Sequence, residues 1–317
     1  MRLGPPPGSG SGAEGDGARV AGGGRFTPAV LADVLERLCA GLGLDHRGAR
    51  LLKFTANAVY ELPADRVVVR ITGSMALRHR APKVVAVARW LARHDVPAVR
   101  LVEDVPQPLV VGEHVATLWR TAPSGGPPVD GRDLGRLLRL LHSLPEPDFE
   151  VPKWSPLEDV RRRIADAEEL AADDRAFLEE RCAALAERLG ALETELPVGV
   201  VHGDAHLRNL IPSPDGPLIC DFDSTGRGPR EWDLSMVPVG AARLGHPWRW
   251  HEQLAAEYGF DVTGWPGYAL LRDVRELKLT TSVLPILRSH PEVAPELRRR
   301  LRSLREGDSD TRWEPYR

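Results

Sequence analysis

Lysine is nearly missing from this 317-residue chain. It occurs only at Lys53, Lys83, Lys153 and Lys278, among 42 lysines and arginines. Together with abundant alanine, glycine and proline, this reads as a compositional bias of the genome. Cysteine is also scarce: Cys39, Cys182 and Cys220 are odd in number, far apart and without a C-x-x-C spacing. That excludes a disulfide framework and a cysteine-rich zinc site. No apolar run approaches the length of a membrane span. The net charge of −3 carries no footprint of a nucleic-acid or membrane partner. Residues 1–25 are rich in Gly, Pro and Ser and lack the apolar core of a secretory signal. They are expected to be a disordered tail, and the protein a cytoplasmic one.

What is present is an ordinary hydrophobic content of 42% and two regions of different texture. Thr27-Pro28 opens a helix, with Val30, Leu31, Val34, Leu35 and Leu38 at helical spacing and a stop at Gly41 or Gly43. Short strands follow in LLKF, VYEL and VVVRI, with a small-residue loop from Thr55 to Ala58. A helix is expected from Pro82 to His94, and LVVGEHVATLWR reads as a hairpin. The segment TAPSGGPPVDG breaks all periodicity and marks a hinge. Beyond it, helices are expected at Asp133–Leu144, Asp173–Leu192, 231–243, 248–258, 268–288 and 292–305. The arginine runs Arg161–Arg163 and Arg298–Arg300, and the acids Asp273 and Glu276, read as solvated helix faces. The sum is an α+β chain of two lobes, 26–120 and 121–317.

The richest stretch is VHGDAHLRNLIPSPDGPLICDFD, from Val201 to Asp223. Pro214-Asp215-Gly216 is a turn between two short arms. A hairpin centred on Asp215 sets Asn209 opposite Asp221, with Cβ atoms roughly 5 Å apart. An amide oxygen and a carboxylate are hard ligands suited to Mg²⁺. Asp204 enters the same edge from the preceding loop. A second reading takes His202 and His206 as a zinc pair, but a zinc site needs three or four ligands and none is supplied nearby.

The spacing D-x-x-x-x-N, followed by a metal-binding aspartate, is that of kinase catalytic loops. With HGDAHLRN and CDFD the chain resembles the aminoglycoside phosphotransferase family, small-molecule kinases of protein-kinase-like fold. FTANAVYEL, VARWLARHDVPAVR, LGRLLRLLHSLP and EWDL resemble further segments of that family in the expected order. The resemblance implies a bilobal fold with a β-rich N-lobe and a helical C-lobe, Mg²⁺ with ATP or GTP, and a small hydroxyl-bearing acceptor. It makes Asp204 the catalytic base and Asn209 and Asp221 the metal ligands. Asp223 and His206 would serve a second metal or the substrate, and His202 and Asp233 would support the loop. Thr55, Ala56, Asn57 and Arg70 would face the nucleotide phosphates. Two departures stand out. Arg70 occupies the place of the family's strand lysine, and the helix from Lys83 to Arg93 contains no acid, with Val84 or a neighbour in the glutamate's place. Arg70 is therefore expected to clamp phosphate, to reach Asp221 when no nucleotide is bound, and to have no rival cation on the N-lobe strands. A non-catalytic nucleotide-binding relative is the alternative, and a zinc hydrolase the third reading.

Overall fold

In the computed structural model, residues 27–54, 57–72, 75–288 and 290–316 are described. The tail expected at 1–25 lies outside them. Helix α1 (Pro28–Leu42) begins as its sequence dictates: Thr27 Oγ1 accepts from the Val30 N–H at 3.3 Å, and Gly43 ends the helix at φ 70°. Strands β1 (Arg50–Phe54), β2 (Asn57–Leu62) and β3 (Val67–Thr72) precede α2 (Ala81–Arg93), and β4 (Leu109–Val111) and β5 (His114–Arg120) follow it. The five strands form one antiparallel sheet in the order β1-β2-β3-β5-β4.

Alternation along β3 explains the sheet's two faces. Val67, Val69 and Ile71 are buried in one cluster with Leu31, Val34, Leu35 and Leu38 of α1. Val68 and Arg70 point the other way, into the cleft below the sheet. On the edge strand β1 the register slips between Leu51 and Lys53, so Leu52 is bulged and both Leu52 and Lys53 reach that cleft. Helix α2 buries Val84, Val87, Trp90 and Leu91 in the larger core of the second lobe, and so joins the two halves.

Residues 121–130 contain neither helix nor strand. Helix α3 (Gly131–Ser143) then starts two residues before the sequence suggests, because Asp130 and Asp133 close a capping box around its first turn. It packs tightly on α7 (Arg249–Tyr258). A β-carbon at Gly135 would stand 2.9 Å from the Leu254 carbonyl oxygen, so only glycine permits that approach. Between them run α4 (Glu158–Asp166), α5 (Ala172–Gly190), β6 (Gly199–Val201), the two-residue strands β7 (Leu210–Ile211) and β8 (Leu218–Ile219), β9 (Gly226–Gly228) and α6 (Glu231–Leu244). Helices α8 (Tyr268–Thr281) and α9 (Ala294–Glu306) complete the chain. Helix α8 stops well short of residue 288, where a 3₁₀ turn at Leu284–Ile286 intervenes. No helix among the described residues is long and apolar enough to cross a membrane.

Two expected solvated faces are not solvated. Arg300 is 2% exposed, bonded to Glu296 and the Leu279 carbonyl and stacked 3.7 Å from the Tyr316 ring centroid. Glu276 is buried and held bidentately by Arg243 at 2.7 and 2.8 Å. In both cases a guanidinium–carboxylate pair offsets the desolvation penalty that sequence alone would assign to the charge. Asp273, by contrast, is partly exposed and meets Arg181 and Arg188.

Candidate active site

Strand β6 pairs with β9, Val201 opposite Gly226, and delivers His202-Gly203-Asp204 into the cleft. Gly203 sits at φ 85°, and a β-carbon there would overlap the Ser224 carbonyl oxygen. Only glycine fits. The loop is pinned by Asp233, fully buried in the first turn of α6, which accepts the N–H groups of His202 at 2.6 Å and Gly203 at 2.8 Å. His142 of α3 donates Nε2–H to the same carboxylate at 3.1 Å and accepts the Tyr258 hydroxyl at Nδ1, 2.9 Å away. Burial opposes ionisation of Asp233, yet these bonds hold its carboxyl below the usual range. Sequence reasoning had no signal for His142 or Tyr258, whose partner lies far along the chain.

His202 has both ring nitrogens engaged. Nδ1 accepts the Asp204 N–H at 3.3 Å, so Nε2 carries the proton and donates it to the Cys220 carbonyl at 3.0 Å. That leaves no nitrogen for a zinc pair with His206. Among the described residues no group of three or more His, Cys, Asp or Glu side chains is arranged around a common metal position.

The Asp204 side chain is 44% exposed. His206 Nε2 stands 3.6 Å from one carboxylate oxygen and Arg275 Nη1 3.8 Å from the other. Burial works against the charge, but His206, Arg275 and Lys278 outweigh it and hold the carboxyl far below its ordinary value. Arg275 is itself buried, donating to Ser235 Oγ and the Trp232 carbonyl and lying 3.5 Å over the Trp232 ring. Burial pushes its pKa down to about 10, so it stays charged at neutral pH.

The hairpin departs from its expected register. Leu210 pairs with Ile219 and Ile211 with Leu218, and the Cys220 N–H donates to the Asn209 carbonyl at 2.9 Å. Asn209 therefore faces Cys220, not Asp221. The reason is the turn: Gly216 N–H bonds the Ser213 carbonyl at 3.1 Å, which centres it between Pro214 and Asp215, half a residue earlier than Asp215 itself. Asp221 follows at φ 70°, a left-handed conformation unusual for a residue with a β-carbon. Asn209 and Asp221 nevertheless line one cavity. The Asn209 amide nitrogen is spent on the Asp204 carbonyl at 2.8 Å, which leaves its oxygen as the free ligand atom. Lys53, on β1, lies 3.6 Å from Asp221.

Arg70 does not reach Asp221. Its guanidinium is ion-paired to Asp223, and Asn57 Nδ2 donates to the same carboxylate oxygen at 3.2 Å. Asn57 Oδ1 is buried without a partner among the described residues. Nor is Arg70 the only strand cation at the cleft, since Lys53 stands beside Asp221. On α2, at the start of the segment without acids, Lys83 donates to the Asp223 and Thr225 carbonyls at 2.6 and 2.9 Å. A cation bonded to backbone thus stands where a glutamate was missed. Thr55 and Ala56 lie outside the described residues.

Two cavities meet at the Asp221–Phe222–Asp223 turn. One, of about 280 Å³, lies under the sheet, with Val59, Val68, Val99 and Trp119 as apolar walls and Lys53, Arg70, Asn209 and Asp221 at its polar end. The other, of about 300 Å³, lies beyond Asp223 and is walled by Gly203, Trp154, Trp232 and Lys278. One free amide oxygen with one part-exposed carboxylate is a donor set that suits Mg²⁺, which takes few protein ligands.

The family model described as the phosphotransferase enzyme family matches residues 50–271. No curated protein matches the chain. Among solved structures, amicoumacin kinase hAmiN is similar at a TM-score of 0.65 and 14% identity, covering 88% of this chain and 96% of its own. A choline/ethanolamine kinase family protein from Mesorhizobium loti is similar at 0.60 and 17%, covering 87% and 95%. An aminoglycoside phosphotransferase from Streptomyces rimosus is similar at 0.58 and 20%, covering 78% and 98%. The α+β architecture, a small antiparallel sheet over a larger helical lobe, is that of the protein-kinase-like fold these structures share. The chain belongs to the phosphotransferase enzyme family.

Proposed function

We propose that the chain transfers the γ-phosphate of ATP or GTP, bound with Mg²⁺, to a hydroxyl of a small polar molecule in the cytoplasm. The observation that carries this reading is the turn at residues 221–223 between the two cavities, with Gly203, the neighbour of Asp204, in the wall of the second. The N-lobe, residues 26–120, would cover the nucleotide, whose base suits the apolar walls at Val68 and Trp119. Residues 121–317 would hold the acceptor. The hAmiN complex with AMP-PNP and Ca²⁺ supports a nucleotide and a divalent cation in this fold.

Asn209 and Asp221 are the residues that would hold Mg²⁺, which neutralises phosphate charge in such sites. Lys53 and Arg70 would meet the phosphate oxygens, leaving Asp221 and Asp223 as they do so. Asp204 would orient the acceptor hydroxyl. As the hydroxyl oxygen forms its bond to the γ-phosphorus, the bond to the nucleoside diphosphate breaks and the hydroxyl proton passes to Asp204. In the loose transition state of phosphoryl transfer, positioning supplies most of the rate. Asp233, His202 and Gly203 would fix the Asp204 backbone, and His206 would bias its carboxylate. The presence of Asp204, Asn209 and Asp221 together, with the Asp204 side chain 44% exposed, favours an enzyme over a nucleotide-binding relic.

Titration calorimetry with Mg·ATP and Mg·GTP, followed by nucleotide consumption against sugars, amino alcohols, hydroxy acids and aminoglycosides, tests the reading. Saturable binding with acceptor-dependent consumption is the expected result. Binding without consumption for any acceptor would favour the relic, and no binding would remove both.

A further inference from the structure

The four lysines are not scattered. Lys53 lies beside Asp221, and the other three, Lys83, Lys153 and Lys278, all line the second cavity. In a chain that otherwise uses arginine for positive charge, this is a concentration of compact, mobile cations in one place.

We propose that this cavity binds an anionic group, so that the acceptor carries a carboxylate or phosphate near its reactive hydroxyl and is not a polycation. The inference rests on the phosphotransferase reading above and names its substrate class.

The charge balance of the cavity carries it. Four acids line the wall with four cations, Arg80 and the three lysines, and two of the acids are already engaged, Asp223 from outside the wall and Asp159 mainly by Arg80 within it. Asp223 is paired with Arg70, and Asp159 with Arg80 and Arg162. Glu150, Glu158 and Lys153 are exposed, which leaves Lys83 and Lys278 as the partly buried, unpaired charges of the wall among the described residues. Lys83 is bonded only to carbonyl oxygens, and Lys278 Nζ has the Pro156 carbonyl at 3.4 Å. Among the described residues neither lysine has a carboxylate within 4.0 Å. Behind the wall stand two further cations. Arg275 is buried, and Arg163 donates to the Lys278 carbonyl at 3.4 Å. Lys83 and Lys278 are drawn partly out of water without a carboxylate partner, and an anion in the cavity is the group that offsets the cost. Trp154, which forms part of the wall, adds a buried Nε1–H with no acceptor among the described residues. A polycation would instead bring like charges against three lysines.

The position relative to Asp204 fits an acceptor. Lys278 lies one turn along α8 from Arg275, which is 3.8 Å from the Asp204 carboxylate. Residues at that helical spacing are on the order of 5–6 Å apart. An anion at Lys278 therefore leaves a short carbon chain, such as that of a hydroxy acid, sugar acid or sugar phosphate, to carry the hydroxyl to Asp204.

The test has two arms. In the first, inorganic phosphate is titrated into the full chain saturated with Mg·ADP, which blocks the nucleotide cleft, and into the chain alone. Saturable binding is expected. Lys278→Gln should weaken it by at least roughly tenfold, the scale of one charge-assisted hydrogen bond, and Lys278→Arg should restore part. Melting curves confirm that the variants fold. In the second arm, nucleotide consumption is compared for matched acceptors: glycerate with glycerol, gluconate with glucose, and serine with ethanolamine. The acid of each pair is expected to have the higher kcat/KM, and Lys278→Gln should remove that preference through KM with nucleotide affinity unchanged. Absence of phosphate binding, equal binding in Lys278→Gln, or a preference for the amine or neutral members overturns the proposal. Lys278-dependent phosphate binding without any Mg·nucleotide binding would keep the anion site and remove the phosphotransferase reading. Turnover of a cationic acceptor would do the reverse.

Discussion

Arg70 of β3 is ion-paired with Asp223 across the cleft, 153 residues away in sequence. The pair ties the sheet to the turn that follows the β7–β8 hairpin, and Asn57 adds a second donor to the same oxygen. Both partners are largely shielded from solvent, at 14% and 22% side-chain exposure. The lobes are thus fastened by the residue that, with nucleotide bound, is expected to hold phosphate.

Arg70→Ala should therefore weaken Mg·ATP binding by about 2–3 kcal/mol, the range for a charge-assisted hydrogen-bonded pair. Arg70→Lys should recover only part, because an ammonium lacks the planar fork. Calorimetry reads both. Unchanged affinity in Arg70→Ala would assign the phosphates to Lys53 alone.

Asp233 is the point on which the catalytic loop hangs. Asp233→Ala leaves two buried N–H groups and the His142 ring without their acceptor. A loss of about 3 kcal/mol or more in urea unfolding is expected, from at least two unsatisfied buried donors. Asp233→Asn should lose less stability and still lose activity, since a neutral amide offers only one accepting oxygen.

The pH dependence of Lys278 follows from its surroundings. Burial first, then Arg275, push its pKa down from 10.5 to about 8, against the opposing pull of Asp159 and Asp204, with Arg163 adding to the depression. Below pH 8 the folded and unfolded chains both carry the proton, and the cost of burying the charge is fully present. Between about 8 and 10.5 the folded chain has released a proton that the unfolded chain still binds, so stability rises with pH from this group. The melting temperature of the wild type should accordingly gain on that of Lys278→Met across that window. The KM for an anionic acceptor should rise above pH 8 as the cation is lost. Parallel curves for the two proteins would show that Lys278 titrates at its ordinary value.

Much of this site was legible before any coordinates. Hairpin geometry put Asp204, Asn209 and Asp221 in one region, the family resemblance added Asp223 and Asp233, and β-branching and the Thr27 cap located α1 and β3. The hairpin register was missed by one because a turn's centre depends on which N–H closes it, and Asp221's left-handed backbone leaves no trace in sequence. Lys53 and Lys83 were missed because a lone lysine forms no motif; the bulge at Leu52 and the Asp223 and Thr225 carbonyls give them meaning. Glu276 looked solvated because its partner Arg243 lies one helix pair away. Charges buried by distant guanidinium groups are what a reading by local pattern cannot find.

The most direct measurement is the rate of nucleoside diphosphate formation by Asp204→Asn beside the wild type, at saturating Mg·ATP and with the best acceptor. The substitution keeps size and hydrogen bonding and removes the proton acceptor. A fall of roughly 10²-fold or more, with nucleotide affinity unchanged by calorimetry, is the expected result. Equal rates would contradict the assignment of Asp204 as the base and return that role to another carboxylate at the junction, with Asp223 the next to test.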